Sequence, residues 1–323
     1  MTRRRTGRAQ AWAELLRVSA LFSVPGDALA GAAAAGARPG RGTLCAIGAS
    51  LCLYEAGMAL NDWADRAEDA AERPHRPLPS GRIAPSAALA ASAALTAAGL
   101  ALASRAGRPS LAVATALAAT VWAYDLGLKH TPAGPGTMAT ARALDLLLGA
   151  TASTGGNGGP QRRAVHALPS AALLGAHTYA VTAVSRHETQ GGSTRTPLAA
   201  LAVTLAVAGA ASGDMLGARP ATTTVSSPSG PPAPHPHPHP TLPSRGLGPL
   251  LALAYARTPA TLLLHAALNP SAALTERAVG GGIRATIPLQ AALAARAGAP
   301  GTALALLGLV PAARALARKV SPT

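Results

Sequence analysis

Long apolar runs recur along nearly the whole chain, and the charged residues gather in the short stretches between them. Only 13% of its 323 residues are charged and 49% are hydrophobic, too little charge to cover an ordinary soluble surface. Runs of this length and polarity are read as membrane-crossing helices. The expected fold is therefore an all-α polytopic membrane protein with about nine transmembrane helices around a central cavity. The spans are expected near 13–35, 43–60, 86–105, 109–124, 136–153, 164–184, 197–216, 285–297 and 301–316. A further stretch, 249–268, is apolar but broken by Arg257 and Pro259, and reads equally as a span or an interfacial helix.

The net charge of +15 sits mostly in the short loops. It reads as a topology signal and as contacts to anionic headgroups, and there is no basic stripe interleaved with aromatics to bind nucleic acid. Arg3, Arg4, Arg5 and Arg8 direct the N-terminus to the cytosol, and Met1 to Arg8 reads as a retained segment rather than a signal peptide. The expected setting is a bacterial inner membrane. Cys45 and Cys52 lie in one apolar run and read as packed thiols. Residues 217–248 break the pattern with proline, serine, threonine and histidine, including HPHPHPHP from His235. Proline at every second position forbids helix and sheet, so this reads as an extended insert within a single domain, 1–323.

One polar stretch stands out, NDWADRAEDAAERPHRPLPSGRI from Asn61 to Ile83. Asp62, Asp65 and Asp69 are spaced i, i+3 and i+7, which on a helix puts them on one face. Oxygen ligands without soft neighbours suit Mg²⁺, which takes one or two carboxylates and completes its shell with water and phosphate. Arg66, Arg73, Arg76 and Arg82 follow or interleave, the last two flanking a stiff Pro-Leu-Pro-Ser-Gly turn. Guanidinium groups grip phosphate, so the stretch offers a metal–diphosphate site where the chain leaves an apolar helix. The bland alternative for such a loop is a solvated cap.

Charges also fall inside expected spans. Asp27, beside Pro25 and Gly26, reads either as a packed kink residue or as a cavity-lining group. Glu55 is a pocket residue or a snorkelling acid, and Arg142 with Asp145 forms a pair or lines a wet pocket. Counting spans puts the loops at 61–85, 125–135 and 185–196 on one side of the membrane. Tyr54, Trp63, Trp122, Tyr124 and Tyr179 lie near that side, as cation-stabilising faces or as an interfacial belt.

The string N-D-x-x-D-x-x-x-D followed by R-P-x-P-S-G-R-I resembles the UbiA superfamily of intramembrane prenyltransferases, and the likeness runs from about Trp12 to the C-terminus. The chain looks most like the EboC-type branch. The resemblance implies transfer of a prenyl group from an isoprenyl diphosphate to an acceptor that short motifs do not identify. It implies Asn61, Asp62, Asp65 and Asp69 as Mg²⁺ ligands, and Arg76, Arg82 and Lys129 as diphosphate contacts. Lys129 follows Tyr124 in the place of the superfamily's Tyr-x(3–4)-Lys element. Tyr124 and Arg186 are further substrate contacts, and His177 or His187 is a candidate base. The chain departs from the superfamily after the sixth span, where a second D-x-x-x-D motif is missing and Glu188 is the one acid in the loop. Ser185, Arg186 and Glu188 are similar to an S-R-x-E element of the EboC-type branch, and Glu188 is the candidate ligand there. The alternative function is a non-catalytic lipid carrier or a structural partner in a biosynthesis or export system.

Overall fold

Proline opens helix after helix in this chain. Pro25, Pro85, Pro109, Pro135 and Pro169 each occupy a first-turn position, where the missing N–H costs nothing and the fixed φ suits a helix. The structure is a computed structural model, and it describes residues 2–17, 23–154, 164–187, 193–213 and 246–320. In chain order the helices are α1 (Thr2–Leu15), α2 (Val24–Ala34), α3 (Arg41–Ala64), α4 (Arg66–Glu72), α5 (Pro85–Arg105) and α6 (Arg108–Ala123). A π-helical turn, Tyr124–Leu128, extends α6. Then come α7 (Gly134–Ser153), α8 (Leu168–Ser185), α9 (Arg195–Ser212), α10 (Leu247–Leu268), α11 (Ala272–Arg296) and α12 (Pro300–Val320).

Five of these helices, α3, α5, α6 with its π turn, α9 and α10, are long and apolar enough to cross a membrane. The stretch left ambiguous at 249–268 is one of them, and Pro259 sits inside a continuous helix. In lipid the freed backbone groups are satisfied locally and by neighbouring helices, so an internal proline is tolerated. The expected first span is not one helix. α1 ends at Leu15, Arg17 adopts a left-handed φ of 48°, and α2 begins only at Val24. The expected run at 285–297 is the second half of a helix that starts at Ala272, so ERAVGGGIR is helical too. Ser271 caps its start by accepting from Leu274 N. The insert expected at 217–248 lies outside the described residues except for its last three, where α10 already begins at Leu247.

The helices close into a ring. α3 packs on α5, α5 on α6, α6 on α7, and α7 on both α2 and α8. α8, α9, α10 and α11 follow side by side, α12 covers α11, and α11 returns to α2 and α8. Alanine dominates the buried interfaces, among them Ala30, Ala150, Ala291, Ala292 and Ala294. Without a hydrophobic drive between helices in lipid, such small residues gain stability through close backbone approach. The tightest case is α2 against α7: a methyl group on Gly31 would strike the Leu146 carbonyl, and one on Gly149 would strike the Ala28 backbone.

Candidate functional site

The acidic motif sits where α3 breaks. α3 ends at Ala64, Asp65 is the shared cap, and α4 starts at Arg66. A continuous helix would have kept Asp62, Asp65 and Asp69 on one face. The break separates them into two groups instead. Asp62 and Asp69, 4% and 2% exposed, face each other across one guanidinium: Arg76 Nη1 lies 3.6 Å from Asp62 Oδ1 and 2.7 Å from Asp69 Oδ2. Arg17 adds a second cation at 3.2 Å from Asp62, and Arg73 one at 3.5 Å from Asp69. Asp65 turns the other way and accepts a hydrogen bond from Lys129 Nζ.

The turn carrying Lys129 is built by the π-helical segment. Its wider winding lets Lys129 N reach Tyr124 O, and it points Asp125 at α3. Asn61 Nδ2 donates to Asp125 Oδ1 at 3.1 Å, and Asp125 is buried. Gly57, one turn before Asn61, leaves the space that Val121 and Asp125 occupy. His130 Nε2 lies 3.9 Å from Asp65 Oδ1. Asp65, Glu68 and His130 each place a ligand atom within 4.8 Å of the others, a donor set of oxygens and one imidazole that fits a divalent cation.

The loop after α4 directs its two arginines oppositely. Turns from Arg73 O to Arg76 N, from Arg76 O to Ser80 N and from Pro77 O to Ile83 N hold it, and Gly81 supplies a φ of 71°. Leu78 and Ile83 anchor it in a small core with Ala11, Leu15 and Ala59. Arg76 therefore points at the carboxylates. Arg82, expected at the diphosphate, instead pairs with Glu14 of α1 at 2.7 Å and donates to His75 O at 2.8 Å. It braces the loop against α1. Arg186 donates to Thr131 O, joining the end of α8 to the Lys129 loop. The loops that begin at 61, 125 and 185 thus meet at one end of the bundle. Glu188 lies outside the described residues. His187 Nε2 lies 3.3 Å from Thr196 Oγ1.

A cavity of about 560 Å³ opens beneath this end. Arg17, Asn61, Tyr124 and Asp125 line its mouth. Tyr54 and Tyr124 face it, whereas Trp63 stacks under Arg66 at 4.5 Å and Trp122 donates to Thr96 Oγ1 at 3.1 Å. Tyr179 is exposed. Of the aromatics expected near this end, the two tyrosines reach the cavity. His177 lines it too, but its Nε2 lies 3.1 Å from Gly282 O and its Nδ1 3.0 Å from the Tyr255 hydroxyl. A carbonyl only accepts, so Nε2 carries the proton and Nδ1 accepts from Tyr255. Both nitrogens are spent on neighbouring helices, which leaves His177 no lone pair for a proton.

Arg142 and Asp145 do not pair with each other along α7. Arg142 Nη1 lies 2.8 Å from Asp27 Oδ2 on α2, and Asp145 accepts from Ser50 of α3 at 2.5 Å. The close α2–α7 packing brings Asp27 to Arg142 before any pairing along the helix. Gln290 of α11 donates to Asp27 Oδ1 at 2.6 Å. Sequence reasoning assigned no role to Arg17 or Asp125. A basic residue just before a broken span, and an acid three residues beyond a tryptophan at a span end, were their only signals.

Chemically, the mouth gathers carboxylates, an amide, guanidinium groups and an ammonium over a largely apolar cavity. Arg17, Arg73, Arg76 and Lys129 are each paired with a carboxylate of the motif, and Arg186 is held by a backbone carbonyl.

Comparison with known proteins agrees with this architecture. Residues 21–218 match the model of the UbiA prenyltransferase family. A digeranylgeranylglyceryl phosphate synthase from Methanopyrus kandleri is 32% identical over 128 residues, 38% of this chain and 45% of that protein. The chain spans about half the length of the curated relatives it matches. A solved UbiA homologue from Aeropyrum pernix K1 superposes with a TM-score of 0.61 over 84% of this chain and 96% of its own, at 17% identity. A homologue from Archaeoglobus fulgidus, bound to GPP and Mg²⁺, gives 0.54 over 85% of this chain and 99% of its own, at 15% identity. At those identities the structures speak for the fold. The family match covers more than half of the chain, and it includes the α3 motif, the Lys129 turn and most of the residues that line the cavity: the chain belongs to the UbiA prenyltransferase family.

Proposed function

We propose that the protein is an intramembrane prenyltransferase, moving a prenyl group from an isoprenyl diphosphate to an acceptor. The observation that carries this reading is the placement of Lys129 on Asp65 and of Arg76 between Asp62 and Asp69, at the mouth of an apolar cavity. A diphosphate binds where cations converge, and a prenyl tail needs the apolar room below them. The relatives' names and the GPP and Mg²⁺ of the Archaeoglobus homologue support the same substrate class.

Asn61, Asp62, Asp65 and Asp69 would supply Mg²⁺ ligands from two groups, Asp65 with Glu68 and His130 on one side and Asp62 with Asp69 around Arg76 on the other, with Glu188 as a further donor. Bound there, Mg²⁺ supplies charge neutralisation for the leaving diphosphate. Lys129, Arg76 and Arg17 meet the remaining phosphate oxygens, with Tyr124 and Arg186 beside them. The C1–O bond of the donor breaks, and its electron pair leaves with pyrophosphate. The allylic cation forms in the cavity that Tyr54 and Tyr124 line, and aromatic groups stabilise positive charge. The acceptor bonds to C1 and gives up a proton. The apolar wall keeps water from capturing the cation first. Arg82 acts indirectly, by holding the loop that aims Arg76. The protein works in the membrane with the mouth of the cavity on the cytosolic side, where the basic N-terminal residues also lie.

The test is Mg²⁺-dependent pyrophosphate release from isoprenyl diphosphates by the full chain in detergent. Release that is lost on chelation, and lost in Asp62→Asn and Asp65→Asn variants that remain monodisperse, is the expected result. Tight binding of the diphosphates with no release, in the presence of a broad acceptor panel, would point to a lipid carrier instead.

A further inference from the structure

The cavity ends on charge. Asn61 and Ser50 both line it and both belong to α3, eleven residues apart and so about 16 Å along the helix axis. The Asn61 end is the mouth described above. Between the two ends the wall is mostly apolar, with Leu53, Gly57, Met58, Val121, Met138 and Val181. At the Ser50 end stand Arg142 and Asp145. Behind them Asp27 and Gln290 are fully buried, and Asp27 is ion-paired with Arg142 and accepts a hydrogen bond from Gln290.

This cluster is fixed in place. It takes one residue or more from each of α2, α3, α7 and α11, and the Gly31 and Gly149 contacts lock α2 onto α7 beside it. Arg142 pairs with Asp27 through one nitrogen of a group that carries five N–H donors. Pressing hydrocarbon against those donors and against Asp145 removes polar solvation without replacing it, and that is costly. An apolar tail therefore gains affinity along the middle of the cavity and stops gaining where the charge begins.

We infer that Asp27, Arg142 and Asp145 form the length stop of the donor pocket, limiting the enclosed tail to about three isoprene units, farnesyl size or shorter. The inference rests on the prenyl-donor reading and narrows its substrate. It separates this chain from a relative whose name implies geranylgeranyl groups.

The test uses non-ionising S-thiolodiphosphate analogues of the dimethylallyl, geranyl, farnesyl and geranylgeranyl donors. Their affinities are measured by calorimetry with Mg²⁺ on the full chain in detergent. In the unaltered protein, affinity rises by about tenfold or more per isoprene unit up to farnesyl, as buried methylenes predict, and then levels off within about twofold. In the double variant Asp27→Leu/Arg142→Met, which replaces the ion pair by apolar groups of similar bulk, the rise continues to geranylgeranyl. A steady rise through geranylgeranyl in the unaltered protein overturns the inference, and that series decides the matter alone if the double variant does not fold. A variant with the same plateau also overturns it. Failure of every analogue to bind overturns the prenyl-donor reading itself.

Discussion

Lys129 closes onto Asp65 across 64 residues of chain, tying the π-helical turn to the break between α3 and α4. With Asn61 on Asp125 and His130 near Asp65, it joins the acidic motif to the lysine loop. Asp65 keeps partial access to solvent and has His130 beside it, so losing its partner costs the fold less than stranding a fully buried carboxylate would. The cost to turnover is larger, because the ammonium is the charge that meets the diphosphate. Lys129→Met is expected to lower pyrophosphate release by about a hundredfold or more with little change in melting temperature. Steady-state kinetics and thermal unfolding in detergent read both quantities, and near-normal turnover would remove Lys129 from the site.

Arg76 has a different balance. It is the shared counterion of two buried carboxylates, and without it Asp62 keeps Arg17 at 3.2 Å while Asp69 exchanges a 2.7 Å contact for Arg73 at 3.5 Å. Breaking a buried ionic group by removing one member costs about 3–5 kcal/mol. Arg76→Met should therefore lower both stability and turnover. Arg76→Lys should recover only part of each, since an ammonium cannot span two carboxylates as a planar guanidinium does. Full recovery by lysine would show that the bridging geometry is unimportant.

The chemistry of the site was legible because it is written in one contiguous string. Asparagine, aspartates and arginines within a few turns state a metal–diphosphate site without any knowledge of packing, and the family match bears out the superfamily that the string resembles. It does not extend to the branch. What could not be read is how the string divides. The spacing of Asp62, Asp65 and Asp69 assumed an unbroken helix, and the break at Asp65 is set by the turn into α4 rather than by spacing. The partners Arg17, Asp125 and Asp27 depend on helix rotation and on contacts across distant segments. The α11 helix was read short because Glu276, Arg277 and three glycines mask its periodicity, yet Gly281 and Gly282 pack against Leu262 and Val181 inside the bundle.

The Asp27–Arg142 pair predicts a non-additive mutant cycle. Asp27→Leu alone leaves the Arg142 guanidinium on the cavity wall without its ion-pair partner, and Arg142→Met alone leaves Asp27 with Gln290 and Asp145. Each single change is expected to cost about 3–5 kcal/mol, while the double change costs much less because neither charge remains stranded. Thermal unfolding of the four proteins in one detergent measures the coupling. Additive losses would mean that the pair is not formed.

Gly149 tests the α2–α7 contact without touching a charge. A β-carbon there meets Ala28 backbone, which cannot move aside as a flexible side chain could. Gly149→Ala is expected to destabilise by about 1–3 kcal/mol despite the better helix propensity of alanine. An increase in melting temperature would show that the two helices have room to spare.

His177 is the sharpest case in which geometry restricts a role. It lies on the cavity wall, where a base for the acceptor's proton would be useful, and its imidazole is the side chain most suited to that task near neutral pH. Its hydrogen bonds to Gly282 O and the Tyr255 hydroxyl, however, join α8 to α11 and α10 and leave no nitrogen lone pair facing a substrate. Its edge-on contact with the Tyr255 ring, at 5.3 Å between centroids, holds the same arrangement. His177→Gln should keep one of the two bonds and cost about 1–3 kcal/mol of stability for the group left unsatisfied. Turnover should stay within about threefold of the unaltered protein, with the same pH dependence, because loss of a general base costs about a hundredfold or more. A pH–rate profile measured beside a melting curve separates the outcomes: a folded His177→Gln protein that has lost the fall in rate on the acid side, and most of its rate, would restore the histidine as the base.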